Sequence, residues 1–332
     1  MTQKDQEIKV KRRGRRGASG LVDLCNDYSE VAHKVHHSDS RPLNSSVRST
    51  LPTELLNLIF SRVSCRELSC LARTNSAFYA VAIRLLYHDL KSLSTRQYIH
   101  CFLALTRNSS LPPLVRSLEL DWQSLKPSQN LYRLLHSVLK SLASLKSLNF
   151  DLPKHHSPTW VLDGCTFSLR QFTTSLHCKA PLARFLESQP GIVELTLRGL
   201  QNDCSSINPF HIFSPNADIR PLLTDFELRP GSLPSLVLFN AVHAGPPVIR
   251  TIADGRSMRA VSVPLFPRHA MATLNALTLT SGSIRRLSLI SFDPDAPAFL
   301  FAQLVGRFPR LEALHVVLLM TKCSLVRIGF KS

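Results

Sequence analysis

Glycine is scarce in this chain, 12 in 332 residues, and the shortage removes whole classes of function. No G-x-x-x-x-G-K-[ST], G-x-G-x-x-G or G-x-S-x-G stretch occurs, so neither a phosphate-cradling loop nor a nucleophile elbow is offered. No apolar run approaches the roughly 18 residues that cross a bilayer. The basic N-terminus has no apolar segment behind it to act as a secretory signal. Membrane and secreted readings are set aside, and a cytoplasmic or nuclear location is expected. The eight cysteines contain no C-x-x-C pair, and Cys65 and Cys70, five apart, are poorly placed on a helix to share a metal. In a chain without a secretory signal they are expected to be reduced, buried thiols. His33, His36, His37, His155 and His156 read as loop and surface histidines, so no metal and no cofactor are expected. Asp293-Pro294-Asp295 is a turn signal. No motif joins nucleophile, base and oxyanion donors, so the chain is not expected to be an enzyme.

Leucine and positive charge are in excess. The 55 Leu suit helical or leucine-rich-repeat packing better than a Rossmann sheet. Forty Lys and Arg stand against 23 Asp and Glu, a formal charge of +17. Apolar residues make up 44%, enough to bury a sizeable core. Residues 1–48 lack apolar periodicity and are expected to form a disordered basic tail. Within it Lys9, Lys11, Arg12, Arg13, Arg15 and Arg16 place six cations in eight positions. That run fits a nuclear-import signal or a solvated tail with no reader. Without the tail, 30 Lys and Arg still face 17 Asp and Glu, so the body is basic too. Such charge attracts nucleic acid, but no zinc module, docking helix or run of stacking aromatics accompanies it. Nucleic acid is therefore an alternative partner and not the leading one.

Residues 51–90 read as three short helices. Leu51-Pro52-Thr53-Glu54 opens the first: Pro is preorganised for a first turn and Glu54 complements the helix dipole. Leu55, Ile59 and Val63 recur every four residues with Leu56 and Phe60 beside them, which predicts one broad apolar face. Ser64 and Glu67 form an S-x-x-E capping box for the second helix, continued by Leu68, Leu71 and Ala72. Asn75 or Ser76 opens the third, with Phe78, Val81, Ala82, Leu85 and Leu86 on its apolar side. A block this small encloses little core, so it is expected to lean on a partner or on the following domain.

The stretch Leu51-Pro52-Thr53-Glu54-Leu55-Leu56-Asn57-Leu58-Ile59-Phe60, with Leu68, Leu71, Ala77-Phe78 and the closing Leu86-Tyr87-His88-Asp89-Leu90, resembles an F-box. Its ending is similar to F-box proteins of fungi. Phe78-Tyr79 stand where many members carry Trp, and Arg66-Glu67 where Asp is common. The resemblance implies a domain at 49–92 that docks on the Skp-type adaptor of a cullin–RING ubiquitin ligase. Its adaptor-binding residues would be Leu51, Pro52, Glu54, Leu55, Leu56, Ile59, Phe60 and Leu68. It further implies that residues 93–332 recruit an unknown protein substrate for ubiquitin-dependent degradation.

Residues 93–332 alternate predicted helices with short L-x-x-L-x-L strands. Strands are expected at Val115–Leu120, Leu145–Phe150, Ile192–Leu197, Leu223–Leu228, Leu233–Leu238, Leu274–Leu279, Ile284–Leu289 and Leu311–Val316, with another around Phe172. Four of the gaps between their middle apolar positions, 30, 24, 23 and 27 residues, are close to the 20–29 of leucine-rich repeats. Phe226 to Leu236 and Leu277 to Leu287 are only ten apart, too close for a helix between them. The expected fold is α/β: a three-helix F-box followed by an irregular leucine-rich-repeat-like solenoid of helices and short parallel strands. A helix–sheet domain without true repeats is the alternative. In a solenoid the x positions point outward from a concave face, which makes Arg116, Glu119, Lys146, Arg285, Arg286 and His315 candidate substrate-binding residues. No polar capping repeat is legible beyond Met320, so the last strand edge is expected to be open. The function expected is a substrate-recruiting adaptor subunit of a ubiquitin ligase; the alternative is a basic nucleic-acid-binding or non-ligase scaffold protein.

Overall fold

The computed structural model describes residues 51–123, 127–153, 158–199, 225–266, 269–280, 282–291 and 296–318. They fall into two units that divide between Leu111 and Pro112. The expected tail 1–48 with its import run Lys11, Arg12, Arg13, Arg15 and Arg16, the pair His155 and His156, Asp293–Asp295 and the chain after Leu318 all lie outside the described residues.

In the first unit, helix α1 (Thr53–Phe60) begins one residue past Pro52, whose carbonyl accepts the Leu56 amide at 3.1 Å. Helix α2 (Cys65–Leu71) starts on the expected capping box. The Ser64 hydroxyl accepts from the Glu67 amide, and the Glu67 carboxylate accepts the Ser64 amide at 3.0 Å. These bonds satisfy two of the donors a helix start leaves orphaned. Helix α3 (Ser76–His88) is capped by Asn75, whose Oδ1 accepts the Phe78 amide at 2.8 Å. It runs into a two-residue strand, β1 (Asp89–Leu90). A second capping box, Ser94 with Gln97, opens α4 (Thr95–Arg107). That helix buries Tyr98, Cys101, Phe102 and Leu105, the i, i+3, i+4, i+7 stripe of an amphipathic helix. Leu56, Phe60, Leu68, Val81, Ala82 and Leu86 are buried in the helical block, where Phe60 meets Phe78 edge-on at 5.2 Å.

The second unit repeats one motif. Its strands are β2 (Ser117–Asp121), β3 (Ser147–Asp151), β4 (Gln171–Thr174), β5 (Glu194–Leu197), β6 (Leu238–Ala241), β7 (Ala260–Leu265), β8 (Arg286–Ser291) and β9 (Ala313–Leu318). They pair in chain order, every pair parallel. Parallel neighbours need a crossover between them. Helices supply it: α5 (Gln129–Ser141) before β3, α6 (Ala180–Glu187) before β5, α7 (Pro246–Ala253) before β7, α8 (Ala270–Leu277) before β8 and α9 (Ala296–Val305) before β9. Between β3 and β4 the described crossover is only a 3₁₀ turn, Thr159–Leu162.

The register stacks like on like. Leu118, Leu148, Phe172, Leu195, Phe239, Val261, Leu287 and Leu314 form one row across the sheet. Three residues before the first seven of these, Val115, Leu145, Leu169, Ile192, Leu236, Met258 and Ile284 are buried, and Leu311 before Leu314 is half-buried, so an L-x-x-L-x-L frame recurs with substitutions. Burial alternates along the strands, which marks one covered face and one open face.

Three expected strands are corrected. Leu274–Leu279 is the end of α8 and a 3₁₀ turn, because Leu274 and Leu277, three apart, share the buried side of a helix. The strand of that repeat is β7, written Met258-x-x-Val261-x-Val263 without a leucine. The segment from Asp225 to Leu228 is not a strand, and β6 begins only at Leu238. Leu233 has φ +55°, a left-handed backbone that no strand accommodates.

Buried polar side chains tie repeats together. Gln189 is buried; its Oε1 accepts the Leu169 amide at 3.0 Å and its Nε2 donates to the Phe167 carbonyl at 3.2 Å. Thr280 does the same for a later pair, donating to the Arg256 carbonyl at 2.6 Å and accepting the Met258 amide at 3.3 Å.

Candidate functional site

Helix α1 is apolar on two sides, and the block covers only one. Leu56 and Phe60, four apart, face inward with Leu68. Leu51, Leu55, Leu58 and Ile59 lie at i, i+4, i+7 and i+8 on the other side and are 46–62% exposed. Pro52 and Glu54 are exposed beside them. Three large aliphatic side chains on a helix of about two turns, with Leu51 just before it, make an apolar patch of the kind that marks an interaction surface. This divides the expected adaptor-binding set. Leu51, Pro52, Glu54, Leu55 and Ile59 are available to a partner. Leu56, Phe60 and Leu68 are buried within the block, together with Val81, Ala82 and Leu86. Leu58, at i+3 from Leu55, is exposed on the same side and stood outside the expected set.

Helix α2 follows in the same block. Its Glu67 carboxyl sits below the usual carboxylate range, held there chiefly by the Ser64 hydroxyl and then by the Ser64 amide. Cys65 and Cys70 on this helix are exposed, against the expectation of buried thiols; Cys101 and Cys178 are buried. Burial pushes the Cys178 thiol up to about 12, which keeps it protonated and unreactive.

On the open face of the sheet, the candidate substrate-binding residues separate by what already holds them. Arg116 donates to the Ser144 carbonyl at 3.1 Å and Lys146 to the Ser168 carbonyl at 3.3 Å. Ser144 and Ser168 precede the first apolar position of the next repeat, so both cations staple repeat to repeat. Arg285 pairs with Glu312 at 2.5 Å. His315 Nδ1 is 3.4 Å from Ser288 Oγ. Glu119 lines a polar groove of about 250 Å³ over β2–β5, together with Asn149, Thr173 and Glu194. Arg286 lines a larger groove over β6–β9 and has no ion-pair partner among the described residues. Among these residues no three His, Cys, Asp or Glu gather as a metal site, and no helix is long and apolar enough to cross a membrane.

The first unit thus presents a short helix that is apolar on its water-facing side, followed by two side-chain-capped helices, and the second unit is a repeat-built α/β sheet. Residues 49–91 match the model of the F-box-like family; this segment is an F-box-like domain. No curated protein matches the chain.

Proposed function

We propose that this chain is the substrate-recruiting adaptor of a Skp–cullin–F-box ubiquitin ligase. Residues 51–90 dock on the Skp-type adaptor and the second unit presents a protein target, in the cytoplasm or nucleus. The chain performs no covalent step of its own. It contributes proximity, which turns a bimolecular encounter into a nearly intramolecular one. The observation that supports this most is the exposed stripe Leu51, Leu55, Leu58 and Ile59, set within the segment that matches the F-box-like family.

Helix-in-groove binding concentrates its energy in a few apolar anchors. Leu55→Ala with Ile59→Ala is expected to weaken capture of a purified Skp-type adaptor at least tenfold, about 1.4 kcal/mol. The far-UV circular dichroism should be unchanged, because both side chains face water. Phe60→Ala, by contrast, should lower stability as a whole. A folded wild-type chain that fails to bind the adaptor overturns the proposal.

A further inference from the structure

We infer that the open face over β6–β9 is a groove for an extended segment of a partner protein carrying one carboxylate side chain among apolar neighbours. This deepens the target-presentation reading above and rests on it for its biological use. The groove measures about 420 Å³. Two rows of side chains in register build it: Leu238, Ala260, Arg286 and Ala313, then Asn240, Ser262, Ser288 and His315. In the first row a guanidinium stands between two alanines. Neither neighbour fills the space beside it, so a trough is left on either flank of Arg286. The second row is a strip of amide, hydroxyl and imidazole groups that suit the backbone of an extended chain. Four strands at about 4.8 Å span roughly 14 Å, the length of about four extended residues.

Charge assigns the ligand. Arg116 and Lys146 are occupied by turn carbonyls and Arg285 by Glu312, which leaves Arg286 without a counter-ion among the described residues. Arg259, exposed and next to Arg285 in the ladder, adds positive charge one row away. A guanidinium at the edge of an apolar trough favours a planar, bidentate anion. One free guanidinium matches a singly charged carboxylate, whereas a phosphate dianion calls for a cluster of cations. The groove over β2–β5 carries Glu119 and Glu194 and repels the same ligand. The linings of the two grooves therefore differ in sign, which directs an acidic segment to β6–β9.

The test uses the full chain and a displayed library of unphosphorylated ten-residue peptides. Enriched sequences should carry a single Asp or Glu flanked by apolar residues. For a synthetic peptide of that class, fluorescence anisotropy should show at least tenfold weaker binding to Arg286→Leu, an intermediate loss with Arg286→Lys, and unchanged binding to Glu194→Gln. Arg286 is exposed, so the variants should retain the wild-type circular dichroism; Ser262→Ala, with a smaller loss, probes the same groove independently. No enrichment, an enriched class without an acidic residue, or Arg286→Leu within twofold of wild type overturns the inference. So does a single-stranded RNA that binds the groove and is released by Arg286→Leu. Adaptor capture takes no part in this assay, so its failure and that of the docking reading are separately visible.

Discussion

Arg256 shows how a charged residue can be structural. It is buried; its Nε donates to the Ser232 carbonyl at 2.7 Å, and its Nη1 to the carbonyls of Thr251, Ile252 and Asp254 at 2.6, 3.0 and 2.9 Å. One side chain thus closes the C-terminus of α7 and ties it to the loop before β6, where a helix leaves carbonyls orphaned and favours a cation. Burial lowers its pKa from the ordinary guanidinium value. Replacing it with Leu would leave four carbonyls without this donor, that of Ile252 buried and the other three partly so, at up to about 1–3 kcal/mol each. Arg256→Leu is expected to destabilise the fold by about 3 kcal/mol or more in urea titration, and Arg256→Lys to recover part of that. An Arg256→Leu midpoint equal to wild type would show that these carbonyls have other partners. Arg286, thirty positions on, has the same chemistry with the opposite use, because its strand row carries it to the open face.

At the scale of the element, the capping box of α2 makes a pH prediction. Glu67 titrates below its ordinary value because its ionised form accepts the Ser64 hydroxyl and amide. A carboxyl depressed in the folded state contributes stability that is complete above the unfolded pKa and is lost as pH falls through the folded one. Ser64→Ala removes the hydroxyl bond. By NMR titration the Glu67 carboxyl should then move up toward its ordinary range, and the low-pH loss of α2 should begin at higher pH. An unchanged Glu67 titration would mean that the bond contributes nothing in solution. Helix α1 carries the complementary lesson. Its capless start at Pro52 and its two apolar sides make it a poor helix alone, stabilised inward by Phe60 on Phe78 and outward only when a partner covers Leu55 and Ile59.

For the second unit as a whole, stability follows from stacking. Each repeat buries its row against the next, so an interior repeat has two neighbours and a terminal one fewer. Leu195 on β5 is buried, whereas Leu314 in the same row on β9 is half-buried. Leu195→Ala is expected to cost about 3 kcal/mol, within the range of core truncations, and Leu314→Ala markedly less. Equal losses by urea denaturation would contradict a stacked, nearest-neighbour architecture. The same graded burial predicts faster exchange of amide hydrogens on β9 than on β5.

The features legible along the chain are mostly local. The capping boxes at Ser64 and the third-helix start at Asn75 follow from side chains that reach only three residues. The strands at Leu118, Leu148, Leu195, Leu287 and Leu314 follow from a leucine frame that repeats. Where the frame was spelled with Met258, Val261 and Val263, or where Leu274 and Leu277 fitted either period, the pattern misled, since short apolar runs suit helix and strand alike. Tertiary structure alone decided which side of α1 faces water, because Leu55 and Leu56 are equally apolar and only the neighbours of Leu56 distinguish them. It decided likewise which cations are free. Arg285 and Arg286 are adjacent in sequence, yet one meets Glu312 and the other stands between Ala260 and Ala313. That difference arises from register across strands more than twenty residues apart, which no local spacing encodes.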